Sequence, residues 1–283
     1  MLSILFWNLD GKPHRNAVQH AENLVESIAR LTLAKDVDIL VFAECGVDDR
    51  RLIERLNATG LGPYDRSPIK SRRVRVFTRL EPSTIAEAFS DPVEDRLAVI
   101  QIETGASPAI LLAGVHFHDR MSIPTDVGRA LATSVLARTI ESVEDEAGHQ
   151  RTALVGDLNM NPFEGGVVGT HALHGVMTRA LARSVPELAS RKLFRCFYNP
   201  MWGLLGDRSK GPAGTYYFPN LTDPANHFWN VFDQVLLRPA LMDHLVDLEV
   251  LASDGTESFI TKGGRPRRAV LSDHLPLFFR LDV

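Results

Sequence analysis

The sequence predicts a single mixed α/β domain spanning residues 1–283, and three observations predict it. Strand-length apolar runs alternate with helix-periodic stretches over residues 1–60. Three further runs then follow with no helix between them, which predicts antiparallel neighbours. Finally, one strand after another closes on a polar residue as it leaves the core.

The chain opens MLSILFWNLDGK. Six of the first seven residues are apolar or aromatic, Ser3 being the exception, and Asn8-Leu9-Asp10-Gly11 stops the run. A run of that length bounded by turn residues reads as a buried strand. Asn8 ends it either as a turn-forming residue or as one that faces a ligand crevice. Residues 15–34 put Val18, Leu24, Val25, Ile28 and Leu31 on one helical face. VDILVFAEC, residues 37–45, is a second buried strand, and residues 48–60 form a short helix stopped by Gly60.

Strands follow at 73–80 (RVRVFTRL), 96–104 (RLAVIQIET) and 109–117 (AILLAGVHF). Residues 124–148 are helical, with Thr125 or Asp126 as cap and Gly148 as stop. RTALVGDLN, residues 151–159, is another strand. From 160 to 230 the chain is rich in Gly, Pro, Asn and aromatics, with one helical piece at 175–185. Long irregular segments of this kind are often functional. Strands resume at 231–239 and 244–253, and SDHLPLFFRLDV, residues 272–283, closes the chain. There is no internal repeat or low-complexity tract.

A net charge of −4 over 283 residues argues against a general nucleic-acid coat protein, but not against a nuclease with a local basic patch. Cys45 and Cys196 make no metal-spacing motif and imply no disulfide framework. They fit a reducing compartment. The opening reads as a fold strand rather than a secretory signal, and no apolar run is long enough to span a membrane. A cytoplasmic protein with no membrane association is expected.

The polar strand ends form one set: Asn8, Glu44 in VFAEC, His116 in GVHFHDR, and Asp157 and Asn159 in VGDLN. FDQ at 232–234 opens a strand and SDH at 272–274 precedes the last one. One such strand end alone reads as a polar cap; six strands marked in this way do not.

The ordered set WNLDG, ILVFAE, GVHFH, LVGDLNMNP, FDQVLL and LSDHLP resembles the endonuclease/exonuclease/phosphatase superfamily, with the DNase I-like fold. The resemblance spans nearly the whole chain. It implies a four-layer α/β sandwich of two packed mixed β-sheets flanked by helices. It also implies a divalent-metal-dependent phosphoric ester hydrolase.

The residue types suit that chemistry. Mg²⁺ (or Mn²⁺) takes oxygen ligands and keeps several waters, so one or two carboxylates suffice. Glu44 is the expected ligand, with Asp273 completing or supporting it. Asp157 and Asn159 share a face of an extended strand, so one can orient the attacking water while the other donates to phosphate. Asn8 and His116 are donors suited to the same phosphate. For His274 the family pattern supplies Asp233 as the carboxylate that fixes its tautomer. Whether His274 acts as a base or as a protonated stabiliser stays open.

Secondary candidates are His118, two beyond His116, and the basic stretch with Arg72, Arg73 and Arg75, which is also what a solvated edge strand carries. Aromatics of 196–232 pack the loop or stack on bases, and family members often carry a substrate-contacting Thr or aromatic there, for which Thr215 is the nearest candidate. Two departures stand out. Gly114 occupies the position where the family commonly has an Asn, and the mid-chain Tyr or Arg of many nuclease members has no clear counterpart.

The expected activity is a phosphodiesterase acting on nucleic acid. The alternative is a phosphatase or a lipid-headgroup or nucleotide phosphoesterase on the same scaffold. A catalytically inactive binding protein should have lost a carboxylate or the His, and all are retained.

Overall fold

Leu2–Asn8 forms the strand that its apolar run predicts (β1), fully buried and in the interior of a sheet. The coordinates are those of a computed structural model, which describes all residues except 12–13, 106–107, 189–193, 209 and 223–225. After β1 come α1 (Ala17–Lys35), β2 (Ile39–Ala43), α2 (Asp49–Asn57), β3 (Asp65–Arg66) and β4 (Val74–Thr78). Next are β5 (Ile85–Ser90), β6 (Leu97–Ile102), β7 (Ile110–His116), α3 (Asp126–Ala147) and β8 (Thr152–Asp157). The less regular part holds α4 (Gly165–Val168), β9 (Gly175–Val176), α5 (Arg179–Leu188), β10 (Phe197–Tyr198), β11 (Tyr216–Tyr217) and β12 (Trp229–Asn230). The chain finishes with β13 (Asp233–Leu237), α6 (Pro239–Met242), β14 (Leu245–Val250) and β15 (Leu277–Leu281).

Two mixed sheets result. One has the order β14-β15-β1-β2-β4-β3 and the other β5-β6-β7-β8-β13-β10-β9, with β11-β12 as a small separate ribbon. β1 runs parallel to β2 and antiparallel to β15. In the second sheet β7 runs parallel to β8, which lies antiparallel to β13.

Side-chain alternation sets the layers. Leu112 of β7, with Ala153 and Val155 of β8, joins the core shared with the first sheet. Leu111, Ala113 and Val115, with Leu154, face the opposite way onto Leu136, Ala137, Ile140 and Val143 of α3. On the far side of the first sheet, α1 buries Leu24, Val25, Ile28 and Leu31. The result is the two-sheet sandwich flanked by helices.

The helix signals hold with small adjustments. Asn16, Asp48 and Thr125 cap α1, α2 and α3 by accepting from backbone N–H groups. Gly148 closes α3 at φ +73°. Val18, on the predicted apolar face of α1, sits in the first turn and is exposed. The helix expected from 175 starts at Arg179, because Gly175 and Val176 pair with β10 instead.

The strand at 73–80 does not pair with the strands at 96–104 and 109–117 that follow it. β4 lies beside β2 in the first sheet, and the 3-10 turn Pro82–Thr84 precedes β5 in the second. β5 has an Ala-and-Glu-containing sequence of weak strand character, and its pairing with β6 makes it a strand.

Two glycines mark close approaches. A Cβ on Gly114 would lie 2.7 Å from Val74 Cγ1 and 3.2 Å from Val41 Cγ1, between the sheets. A Cβ on Gly156 would meet the Val115 carbonyl oxygen at 1.9 Å, so only glycine fits directly before Asp157.

Candidate active site

β1, β2, β7, β8 and β13 bring their polar ends together along the seam between the sheets. Asn8, the last residue of β1, donates from Nδ2 to Asp157 Oδ2 at 2.9 Å and to Glu44 Oε1 at 3.3 Å. His116 Nε2 reaches the same Glu44 oxygen at 3.2 Å. His274 Nδ1 is 2.9 Å from Asp233 Oδ2, and its Nε2 is 3.9 Å from both Asp157 Oδ2 and Asp273 Oδ1. All of these residues except Glu44 are buried. The sequence-derived set is therefore one contiguous cluster.

Backbone conformation contributes. Glu44 and Asn159 are left-handed, at φ +48° and +50°, each just past the end of its strand. Such positions are costly for non-glycine residues and concentrate at functional sites. In Asn159 the turn breaks the strand alternation that predicted a shared face with Asp157. Its Nδ2 instead donates to the Phe117 carbonyl at 3.1 Å and to Asp157 Oδ2 at 3.3 Å, while its N–H caps Asp157 Oδ1 at 2.7 Å.

The electrostatics separate the carboxylates. The His116 hydrogen bond holds Glu44 at about 2, against the opposing effect of partial burial, so it is ionised at neutral pH. Burial pushes the Asp157 carboxyl up. Burial alone would depress His274, but the charge and hydrogen bond of Asp233, with Asp157 and Asp273 nearby, raise it to about 10. His274 is thus an imidazolium shared among carboxylates.

The donor set fits a hard cation. Glu44 is ionised, keeps 31% of its side chain open, and stands beside neutral Asn8. Asp157, Asp233 and His274 also place ligand atoms within 4.8 Å of one another. That trio is less suited to a metal, because the His274 nitrogen facing Asp233 is committed to a charged hydrogen bond.

Several contributors carried no separate signal in sequence. Ser272 Oγ donates to the Asn8 carbonyl at 2.6 Å and accepts from His274 N–H at 3.0 Å. Trp7 Nε1 donates to the His274 carbonyl at 2.9 Å. The Tyr216 ring lies 4.6 Å from the His274 ring and stacks on Phe232 at 5.3 Å and Phe218 at 6.4 Å. Arg129 of α3, fully buried, holds the His118 and Asn159 carbonyls. Arg268 Nε sits 3.0 Å from Asp10 Oδ2 and 3.6 Å from Asp273 Oδ2. Asp10 lies in the quoted WNLDG and was read only as part of the turn.

The secondary candidates fall elsewhere. Thr215 is fully buried, and its Oγ1 accepts from the N–H groups of Phe232 and Asp233, so it shapes the start of β13 and offers no face to substrate. β7 ends at His116, and His118 turns to Glu94 Oε2 at 2.6 Å. Arg75 is occupied by Asp49 Oδ1 at 2.7 Å and the Val47 carbonyl at 3.0 Å. Arg72 and Arg73 are exposed, with backbone N–H groups on Asp95.

With the fold and the strand-end cluster described, the sequence comparison gives the family. The chain belongs to the endonuclease/exonuclease/phosphatase family, whose family model matches residues 5–274. No curated protein matches it. Among solved structures, an endonuclease/exonuclease/phosphatase family protein from Bacteroides thetaiotaomicron superposes with a TM-score of 0.60 at 14% identity, covering 99% of this chain and 97% of that one. A mannosyl-6-phosphatase from the same organism gives 0.59 at 14% identity, with both chains covered completely. D. rerio TDP2 complexed with a single-strand DNA product gives 0.54 at 15% identity, covering 100% of this chain and 99% of that chain. At these identities the likeness is one of fold. No described helix is long and apolar enough to cross a membrane.

Proposed function

We propose that this protein is a divalent-metal-dependent phosphodiesterase that hydrolyses nucleic acid by in-line attack of water. The observation that carries the hydrolytic part is the pairing of an imidazolium, His274–Asp233, with an ionised Glu44 across one cleft. Glu44 would hold Mg²⁺ or Mn²⁺, with Asp273 supporting it. The metal would supply Lewis-acid charge at a phosphoryl oxygen.

The chain's own groups divide the remaining work. His274 Nε2–H, 3.9 Å from both Asp157 Oδ2 and Asp273 Oδ1, donates to a phosphoryl oxygen as charge builds on it. Asp233 keeps the ring charged and oriented. Asp157, whose pKa is raised by burial, orients the attacking water and accepts its proton. Asn8, Asn159 and His116 hold Asp157 and Glu44 in place through the bonds they donate to those carboxylates.

The nucleic-acid part rests on the aromatic run Tyr216, Phe232 and Phe218, which begins at His274 and ends with Phe218 47% exposed. Rings at that place offer a face on which a base can stack. Cys45 and Cys196, both buried free thiols, suit a cytoplasmic setting.

The test is hydrolysis of labelled oligonucleotides with Mg²⁺ or Mn²⁺, run beside phospholipid, inositol-phosphate and mononucleotide substrates. Cleavage of the oligonucleotide is expected. If oligonucleotides stay intact while a small phosphoester is cut, the phosphatase reading replaces this one.

A further inference from the structure

The connection from β14 to β15 folds into a small hairpin beside the candidate site. Ile260 bridges Pro266, Thr261 and Arg265 exchange a backbone bond of 2.7 Å, and Gly264 makes the turn at φ +73°. Its base is fixed from below. Phe259 is buried and stacks on Trp7 of β1 at 5.3 Å. Arg267 is spent within the hairpin, on Glu257 at 3.1 Å and the Ser258 carbonyl at 3.1 Å.

The remaining cations face outward. Lys262 and Arg265 are exposed at the tip, and Arg265 lies 5.0 Å over the Tyr217 ring. Arg268 touches Asp10 and Asp273 through Nε, while 54% of its side chain is open to solvent. This orientation presents the outer edge of its guanidinium beside the expected metal ligand. Arg268 lies at the base of the hairpin, Arg265 one pairing position from the turn, and Lys262 in the turn itself. In the basic stretch at 70–79, Arg75 and Arg79 are consumed by Asp49, Asp36 and Asp38, while Lys70, Arg72 and Arg73 are exposed.

We propose that the hairpin Ser258–Arg268 binds the phosphates that flank the scissile one in a nucleic-acid strand, with Arg268 nearest the reaction and Arg265 and Lys262 beyond it. This rests on the phosphodiesterase reading given above. A hairpin anchored at its base and carrying three exposed cations suits a ligand with a repeated negative charge. Arg265 on Tyr217 joins that hairpin to the aromatic ribbon, so phosphates and bases of one strand have adjacent surfaces to meet. Asp10 is the positioning residue that fixes Arg268 by its Nε and keeps the guanidinium at the mouth.

The experiment compares the wild type with the Lys262→Met/Arg265→Met/Arg268→Met variant, in Mg²⁺, on a labelled thymidine oligonucleotide and on bis(p-nitrophenyl) phosphate, which has a single phosphate. The variant should raise KM for the oligonucleotide by roughly tenfold or more, and several-fold more than KM for the small diester. Its log–log salt slope should fall by about 2, from about 0.7 per lost single-strand phosphate contact. The Arg/Lys exchange variant Lys262→Arg/Arg265→Lys/Arg268→Lys should recover most of the affinity, since it keeps all three charges, and thermal melts establish that both variants are folded. Oligonucleotide KM and salt slope equal to wild type would overturn the hairpin's role while leaving the phosphodiesterase reading in place. A wild type that leaves the oligonucleotide intact overturns both.

Discussion

His274 Nδ1 and Asp233 Oδ2 lie 2.9 Å apart, and the bond between them ties the segment leading into β15 of one sheet to the first residue of β13 in the other. Because Asp233 has no exposed surface, the pair is shielded from water and acts as one charged unit. His274→Ala should lower kcat by roughly 10²–10⁴-fold. Adding Asp233→Asn should cost little more, since residues that work as a unit are non-additive. Steady-state kinetics of the two single variants and the double variant decide this. Losses that multiply would show two independent residues.

The same pair should shape stability against pH in metal-free protein. The folded His274 titrates at about 10, above its ordinary 6.5. Its contribution is therefore fully present below 6.5 and is lost as pH rises through about 10. The Tm advantage of wild type over His274→Gln should shrink across that window in chelator-treated samples. An advantage that grew with pH would contradict a charged His274.

Glu44→Gln keeps the shape of the side chain and removes its charge. Titration calorimetry with Mg²⁺ or Mn²⁺ should show affinity lower by roughly tenfold or more. Because Glu44 is held at about 2 by His116, wild-type metal binding should stay pH-independent well below the usual carboxylate range. Equal affinities would remove Glu44 from the metal site.

Gly114→Asn would restore the residue common in the family, yet the site here has no room for it. Its Cβ would press on Val74 and Val41 between the sheets. The substitution should destabilise by about 1–3 kcal/mol, read as a lower Tm or denaturation midpoint. A stabilised and more active variant would show that the sheets separate easily at this point.

Much of the fold was legible because the apolar runs at 2–7, 39–43, 110–115 and 152–155 are buried on both faces and leave one reading. Their polar ends were legible for the complementary reason: Asn8, His116 and Asp157 could not lie in the core without partners. The partner sheet of β4 was hidden, since Val74–Thr78 has strand character but nothing local says which neighbour it meets. Arg75 and Thr215 misled for a related reason. A basic or hydroxylic side chain near a site in sequence is also what a salt bridge or a backbone clamp uses. Arg268 and Tyr216 were missed because each contacts the cluster from a loop or ribbon with no motif of its own.

β1 has β2 on one edge and β15 on the other, with Leu2–Phe6 paired against Leu277–Leu281. In a nascent chain, then, β1 keeps an open edge until β15 has been made. Asn8 feels this directly, because the hydroxyl that holds its carbonyl belongs to Ser272. The candidate site is therefore among the final features to be completed: a chain halted before Ser272 would carry the strands that present Asn8, Glu44, His116 and Asp157 but would lack His274, Asp273 and the hydroxyl that holds Asn8.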